Sequence, residues 1–254
     1  MGVIRERLYI STTAEDAPIL AREYGLGLEI ADFCAAFNMD EPLFPEKDAA
    51  VREKCSGVDR FIFHAPFSEL CPAAIDPLVR SVTRKRYSQA AALAKGYGIR
   101  AMVIHSGFVP QVYFPEWFIP KSSAFWREFL TALPADMTVY LENVMETDPG
   151  LLRAIAEQVN DPRLRLCLDI GHAFNHTPGP PLAEWIDVFA PYLGHVHLHD
   201  NDGVTDLHRP LGQGKIDMEA VLEQIVRLAP EATFTIENMQ AADSVAWLRR
   251  HKYI

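Results

Sequence analysis

Eight short runs rich in β-branched and aromatic residues punctuate this chain, and helical periods lie between them. They are RLYIS (7–11), GLGLEIA (25–31), RFIFHAP (60–66), IRAMVIHSG (99–107), MTVYLEN (137–143), LRLCLDIGH (164–172), GHVHLHD (194–200) and TFTIEN (233–238). AEDAPILAREYG ends at Gly25, DPLVRSVTRKRYSQAAALAKGYG ends at Gly96 and Gly98, and DMEAVLEQIVRLAP opens on Asp217 and stops at Pro230. Residues 148–158, 181–189 and the closing SVAWLRRHK add further helical periods. Strands that alternate with helices must run parallel, with both faces of the sheet covered, and eight such units in this length predict a closed (β/α)8 barrel. An open doubly wound sheet would need fewer strands and a Gly-rich phosphate turn, which is missing. No linker or low-complexity stretch interrupts the pattern, so residues 1–254 read as one domain.

The composition narrows the setting. The chain is 49% hydrophobic, enough for a large core, yet no run approaches the roughly 18 apolar residues of a membrane span, and the charged start MGVIRERLYI lacks the apolar stretch of a secretory signal. Cys34, Cys55, Cys71 and Cys167 form no CxxC pair and no paired framework, so a reducing cytoplasm is the expected location. A formal charge of −10 opposes a sequence-independent grip on nucleic acid, which depends on phosphate neutralisation by Lys and Arg. The basic run Arg84, Lys85, Arg86 falls inside a long helical period and reads as a solvated face.

In such a barrel the chemistry gathers at the C-terminal strand ends, and side chains alternate between the interior and the helices. Six consecutive strands finish on an ionisable or metal-binding residue: His64, His105, Glu142, Asp169, His197 with His199, and Glu237. Within VYLEN, Tyr140 and Glu142 share one face and Val139 and Leu141 the other; within HVHLH, His195, His197 and His199 oppose Val196 and Leu198. One such histidine would be ordinary, and Asp169 ahead of Gly171 and His172 could merely cap a turn. A carboxylate in an apolar strand, however, needs a partner or a metal to offset its desolvation. Convergence of six strands on one mouth favours a metal site.

HAP (64–66), HSG (105–107), LEN (141–143), CLDIGHAF (167–174), HVHLHD (195–200), DLHRPLGQG (206–214) and IEN (236–238) together resemble the xylose-isomerase-like TIM barrel superfamily. That group joins sugar isomerases and epimerases with the endonuclease IV type of abasic-site nuclease. The resemblance implies a metal site of Glu142, Asp169, His197 and Glu237, taking Mn, Mg, Co or Zn. Its nuclease branch implies further ions, one on His64 and His105 beside Glu142 and another on His172, Asp206 and His208. All nine positions are filled.

For a sugar isomerase or epimerase, the resemblance implies that Glu142 and Glu237 move the proton next to a metal-polarised carbonyl, with His172 and Arg209 orienting substrate oxygens. The nuclease reading ranks second, because NVMETDPG after Glu142 and LHDNDG after His197 are acidic where phosphates would be gripped. A keto-sugar or inosose lyase or dehydratase shares the first proton-transfer step. The aromatic stretch 109–126, with Tyr113, Phe114, Trp117 and Phe118, is expected as a loop that packs on a sugar, caps the site, or meets a neighbouring subunit in a homo-oligomer. Within residues 195–214, His195 is expected in the core, His199 beside the ligands or exposed, Asp200–Gly203 in a turn, and Gly212 and Gly214 where the loop bends back.

Overall fold

A computed structural model describes residues 3–175 and 179–254. Its strands are β1 (Leu8–Ser11), β2 (Gly27–Ile30), β3 (Phe61–His64), β4 (Ala101–His105), β5 (Thr138–Glu142), β6 (Leu164–Asp169), β7 (Leu193–Leu198) and β8 (Thr233–Ile236). Each pairs in parallel with its neighbours, and β8 closes on β1. The helices are α1 (Ala17–Tyr24), α2 (Phe44–Lys54), α3 (Pro77–Gly96), α4 (Pro115–Ala132), α5 (Gly150–Val159), α6 (Ile170–Asn175), α7 (Leu182–Phe189), α8 (Met218–Leu228) and α9 (Ala242–Arg250). The expected (β/α)8 barrel is therefore the observed one. The strands fall where the β-branched runs lie, and Asp76 and Asp217 begin α3 and α8 by accepting from the backbone N–H of Leu78 and Ala220.

Alternation along the strands sorts the side chains into two compartments. Leu28, Ile30, Ile104, Leu141, Leu168, Val196, Leu198, Phe234 and Ile236 face outward and join the large core shared with the helices. Inside the barrel, Ile62, Val103 and Cys167 pack with Tyr9, Ala101 and Tyr140 to plug its lower part. Room for this plug comes from Gly27, where a Cβ would collide with the Tyr9 ring. Above the plug the inward positions turn polar and reach the strand ends.

Two local features depart from the sequence pattern. The pairing of β6 with β7 jumps from Leu166↔Leu193 to Cys167↔His195, which leaves Gly194 as an extra residue in β7. This bulge resets the alternation, so that Leu193 packs outward while His195 and His197 turn into the barrel. The second is a correction. Residues 109–126 are mostly not a loop: α4 starts at Pro115, and Phe118, Phe125, Trp126 and Phe129 of that helix are buried in the outer core. The prolines mask the helix, since Pro115 occupies its first turn, where no N–H is needed, and Pro120 is accommodated inside it. Helix α2, with only Val51 buried, shows no apolar period and is likewise invisible in the pattern. The Arg84–Arg86 run is engaged in ion pairs on α3: Arg86 forks onto Asp40 at 2.6 and 2.7 Å, and Arg84 meets Glu128.

Candidate metal centre

The site is built around His197. Its Nδ1 lies 3.2 Å from Glu142 Oε1, 3.6 Å from Glu237 Oε2 and 3.7 Å from Asp169 Oδ2, so the four side chains expected to form a metal site do converge. On the far side of the ring, Nε2 stands 3.2 Å from Glu29 Oε1 without an aligned hydrogen bond. Asp169 serves two purposes: Oδ1 accepts from the His172 N–H and starts α6, while Oδ2 faces His197.

Around this set lie the other expected residues. His64 Nε2 and His105 Nε2 are 3.4 and 3.3 Å from the same oxygen, Glu142 Oε2. His172 Nε2 and His208 Nε2 are 3.3 and 3.1 Å from Asp206 Oδ2, and His199 joins that group. The tautomers can be assigned from chemistry, because a carbonyl oxygen only accepts. His64 Nδ1 donates to Ala65 O at 3.0 Å, His172 Nδ1 to Asn143 O at 3.0 Å, and His208 Nδ1 to Glu237 O at 2.8 Å. In each ring Nε2 is thereby left facing the cluster, the nitrogen a metal would take once the proton it shares with the facing carboxylate is displaced.

Buried and partly buried charges shift one another. Burial would raise the Glu142 and Asp169 carboxyls, but the facing histidines hold both well below the usual carboxylate range. Burial pushes His105 down to about 3, whereas against burial the carboxylates of Asp169, Asp206 and Glu142 lift His172 to about 10. Glu142 Oε2, although flanked by two imidazoles, makes no aligned hydrogen bond, and neither does His197 Nε2. A buried carboxylate oxygen that meets the His64 and His105 nitrogens at 3.4 and 3.3 Å without an aligned hydrogen bond fits a divalent cation among the three.

Two expected substrate contacts are not brought here. Trp117 does not line the cavity above the cluster; it lies on α4, its indole N–H donates to Ala73 O at 3.1 Å, and its ring faces Lys121. Arg209 is exposed, and it is its backbone that pairs with Asp200. His195 is buried against Thr233, Thr235 and Glu29, as a core histidine. His199 is buried too, bonded to Asp169 at 3.0 Å and stacked on His208. Sequence reasoning misses Glu29, although its inward position in GLGLEIA satisfies the same test that singles out Glu142. It sits one layer below the strand ends, the level at which the candidates were sought.

The loops are tied as firmly as the strands. Asn143 of LEN exchanges hydrogen bonds with the Asp169 backbone, and Asn238 of IEN donates to the carbonyls of His208 and Arg209. Over the cluster opens a cavity of about 580 Å³, floored by the histidines and carboxylates and walled by Phe67, Leu207 and Met239. No lysine or arginine lines it among the described residues.

The barrel has counterparts among known proteins. A profile described as xylose isomerase-like TIM barrel matches residues 20–251. The chain belongs to that family. Among sequence relatives, it is 30% identical over 196 residues to the uncharacterized protein MJ1311 of Methanocaldococcus jannaschii, covering 72% of this chain and 66% of that one, just under two thirds. It is 29% identical over 200 residues to a probable endonuclease 4 of Mycobacterium leprae, covering 73% and 76%. Among solved structures, the TTHB071 protein from Thermus thermophilus, soaked with ZnCl2, is 26% identical with a TM-score of 0.72, covering 97% of both chains. A D-tagatose 3-epimerase-like protein gives a TM-score of 0.77 at 23% identity, covering 97% and 96%, and at that identity shows the family's fold alone. No helix among the described residues is long and apolar enough to cross a membrane.

Proposed function

We propose that this protein is a divalent-metal-dependent epimerase or isomerase of a small, uncharged keto-sugar. The observation that carries the reading is the pairing of Glu142 and Glu237 beside His197, in a cavity of small-molecule size that no lysine or arginine lines among the described residues. The first ion would be held by Glu142, Asp169, His197 and Glu237; His64 and His105 with Glu142, and His172, Asp206 and His208, could hold others. Oxygen-rich ligand sets with imidazole suit Mn, Mg, Co or Zn. Once bound, the ion supplies Lewis acidity that polarises a substrate carbonyl and acidifies the neighbouring C–H.

The chain's own residues do the rest. Glu142 and Glu237 come from β5 and β8, three strands apart around the ring, and so approach the bound sugar from different sides. One takes the proton from carbon and the other returns it. His172, with Nδ1 fixed on Asn143 O, presents Nε2 to a substrate oxygen. The apolar walls limit the water that could compete for the proton.

A second reading, abasic-site phosphodiester hydrolysis, is favoured by the complete set of nine ligands and by relatives named probable endonuclease 4. One experiment separates the two. The metal-loaded protein is assayed for solvent deuterium exchange into a panel of keto-sugars and for incision of an abasic-site duplex. Exchange is expected, with a loss of at least about a thousandfold in Glu142→Gln and Glu237→Gln, consistent with removal of an acid/base group. Efficient incision without exchange would overturn the proposal in favour of the nuclease.

A further inference from the structure

Next to the metal cavity lies a second hollow of about 460 Å³, and the two share Phe67, His105 and Val144 in their walls. Their chemistry differs sharply. The hollow is lined by Leu70, Phe108, Val109, Val112, Tyr113 and Met145, with Glu69 and His105 the groups that can carry charge near neutral pH and Cys71 and Tyr113 held neutral by burial. Val112 and Met145 remain 55% and 45% exposed, so apolar surface is held open to water at the edge of the site. The hollow is a built feature. At Gly107, φ is +74°, and a Cβ would stand 2.8 Å from Leu70 O, so only glycine lets the segment after β4 approach the segment after β3 this closely. The shared wall is flat, because the Phe67 and His105 rings stack at 4.0 Å and 12°.

A bare hexose carries hydroxyls on nearly every edge and would leave these walls wet. We propose that the hollow is a subsite for an apolar substituent, so that the substrate is a sugar carrying an aryl or short alkyl aglycone. The sugar occupies the metal cavity and the aglycone crosses the Phe67–His105 wall. This rests on the keto-sugar reading above and deepens it. It also accounts for part of the aromatic stretch after β4: Tyr113 lines the subsite, and Phe118 supports it from below through Phe108 and Tyr113.

The test uses the metal-loaded full chain and the methyl and phenyl glycosides of a keto-sugar that supports deuterium exchange and carries its carbonyl away from the anomeric carbon, so that glycoside formation leaves the carbonyl free, with affinities measured by titration calorimetry. Burial of a ring in such a hollow should make the phenyl glycoside about ten- to a hundredfold tighter than the methyl one. Val112→Asp, at an exposed position that the fold does not depend on, is expected to reduce that preference below about threefold, and Val112→Leu to retain it. Equal affinity for the two glycosides in the wild type, or a preference that survives Val112→Asp, overturns the subsite while leaving the epimerase reading intact. If no sugar in the panel exchanges deuterium, the epimerase reading fails and the subsite fails with it.

Discussion

Three histidines of the cluster are aimed in the same way: a backbone carbonyl takes the Nδ1 proton of His64, His172 and His208, so Nε2 has only one direction left to serve. His197 is turned the other way round, with Nδ1 toward the carboxylates and Nε2 toward Glu29. Glu29 is in turn held by Thr235, whose hydroxyl donates to Oε2 at 2.6 Å. Outer carboxylates of this kind orient a ligating imidazole and raise its basicity. Glu29→Gln should therefore weaken binding of the first ion about ten- to a hundredfold, read by competition with a chromophoric chelator. An unchanged affinity would remove Glu29 from the metal's support and leave it a packing residue. At this scale the sequence is informative where charge meets parity. Glu142, Asp169, His197 and Glu237 stand out because carboxylates and imidazoles on inward, otherwise apolar strands need a reason to be there. Trp117 stands apart because an aromatic side chain carries no such constraint, and its half-exposed indole donates to Ala73 O and meets Lys121 rather than the cavity.

Between strands and site stands the segment after β7, which carries Asp206 and His208. Asp200 organises it. Its fully buried carboxylate accepts from the backbone N–H groups of Asn201, Gly212, Gly214 and Ile216 at 2.9–3.1 Å. Gly214 must lack a side chain, since a Cβ there would collide with Asp200 Oδ1. Asp200→Ala strands four donors in a closed turn and should cost about 2–4 kcal/mol, on the scale of buried donors left without partners. Chemical denaturation measures that loss. Because the segment also positions two ligands, metal stoichiometry in the variant should drop by the ion assigned to His172, Asp206 and His208, with the first ion retained. The bends at Gly212 and Gly214 are legible from their residue types, whereas of the turn expected over Asp200–Gly203 only Gly203 bends, and Asp200 pairs with Arg209. The acceptor role of Asp200 is not legible, because it depends on N–H groups as far along the chain as Ile216. The β7 bulge at Gly194 is hidden for a similar reason: period-two alternation carries no mark of a skipped partner until the neighbouring strand is present.

For the molecule as a whole, the barrel places several ionisable groups in a region its hydrophobic outer shell keeps dry. Glu29, His64, Glu142, Asp169, His195, His197 and His199 are all nearly or fully buried, and their mutual ion pairs only partly offset that burial. A fold that carries this load is stabilised when a cation enters, because the ion binds the assembled cluster and has no comparable site in the unfolded chain. At a free metal concentration about one hundred times the dissociation constant, the gain is about 2.7 kcal/mol. For a chain of this size that corresponds to a rise in Tm of about 5–10 °C. Stripping the protein with a chelator should lower Tm by this amount, and readdition of Mn, Co or Zn should restore it, with differential scanning calorimetry as the measurement. Glu142→Gln should lose most of the response, since Glu142 touches both the His197 group and the His64–His105 pair, whereas a substitution of exposed Lys85 should keep it in full. A Tm indifferent to chelation in the wild type would mean that the imidazoles and carboxylates satisfy one another as a purely structural network, and the catalytic reading would lose its foundation.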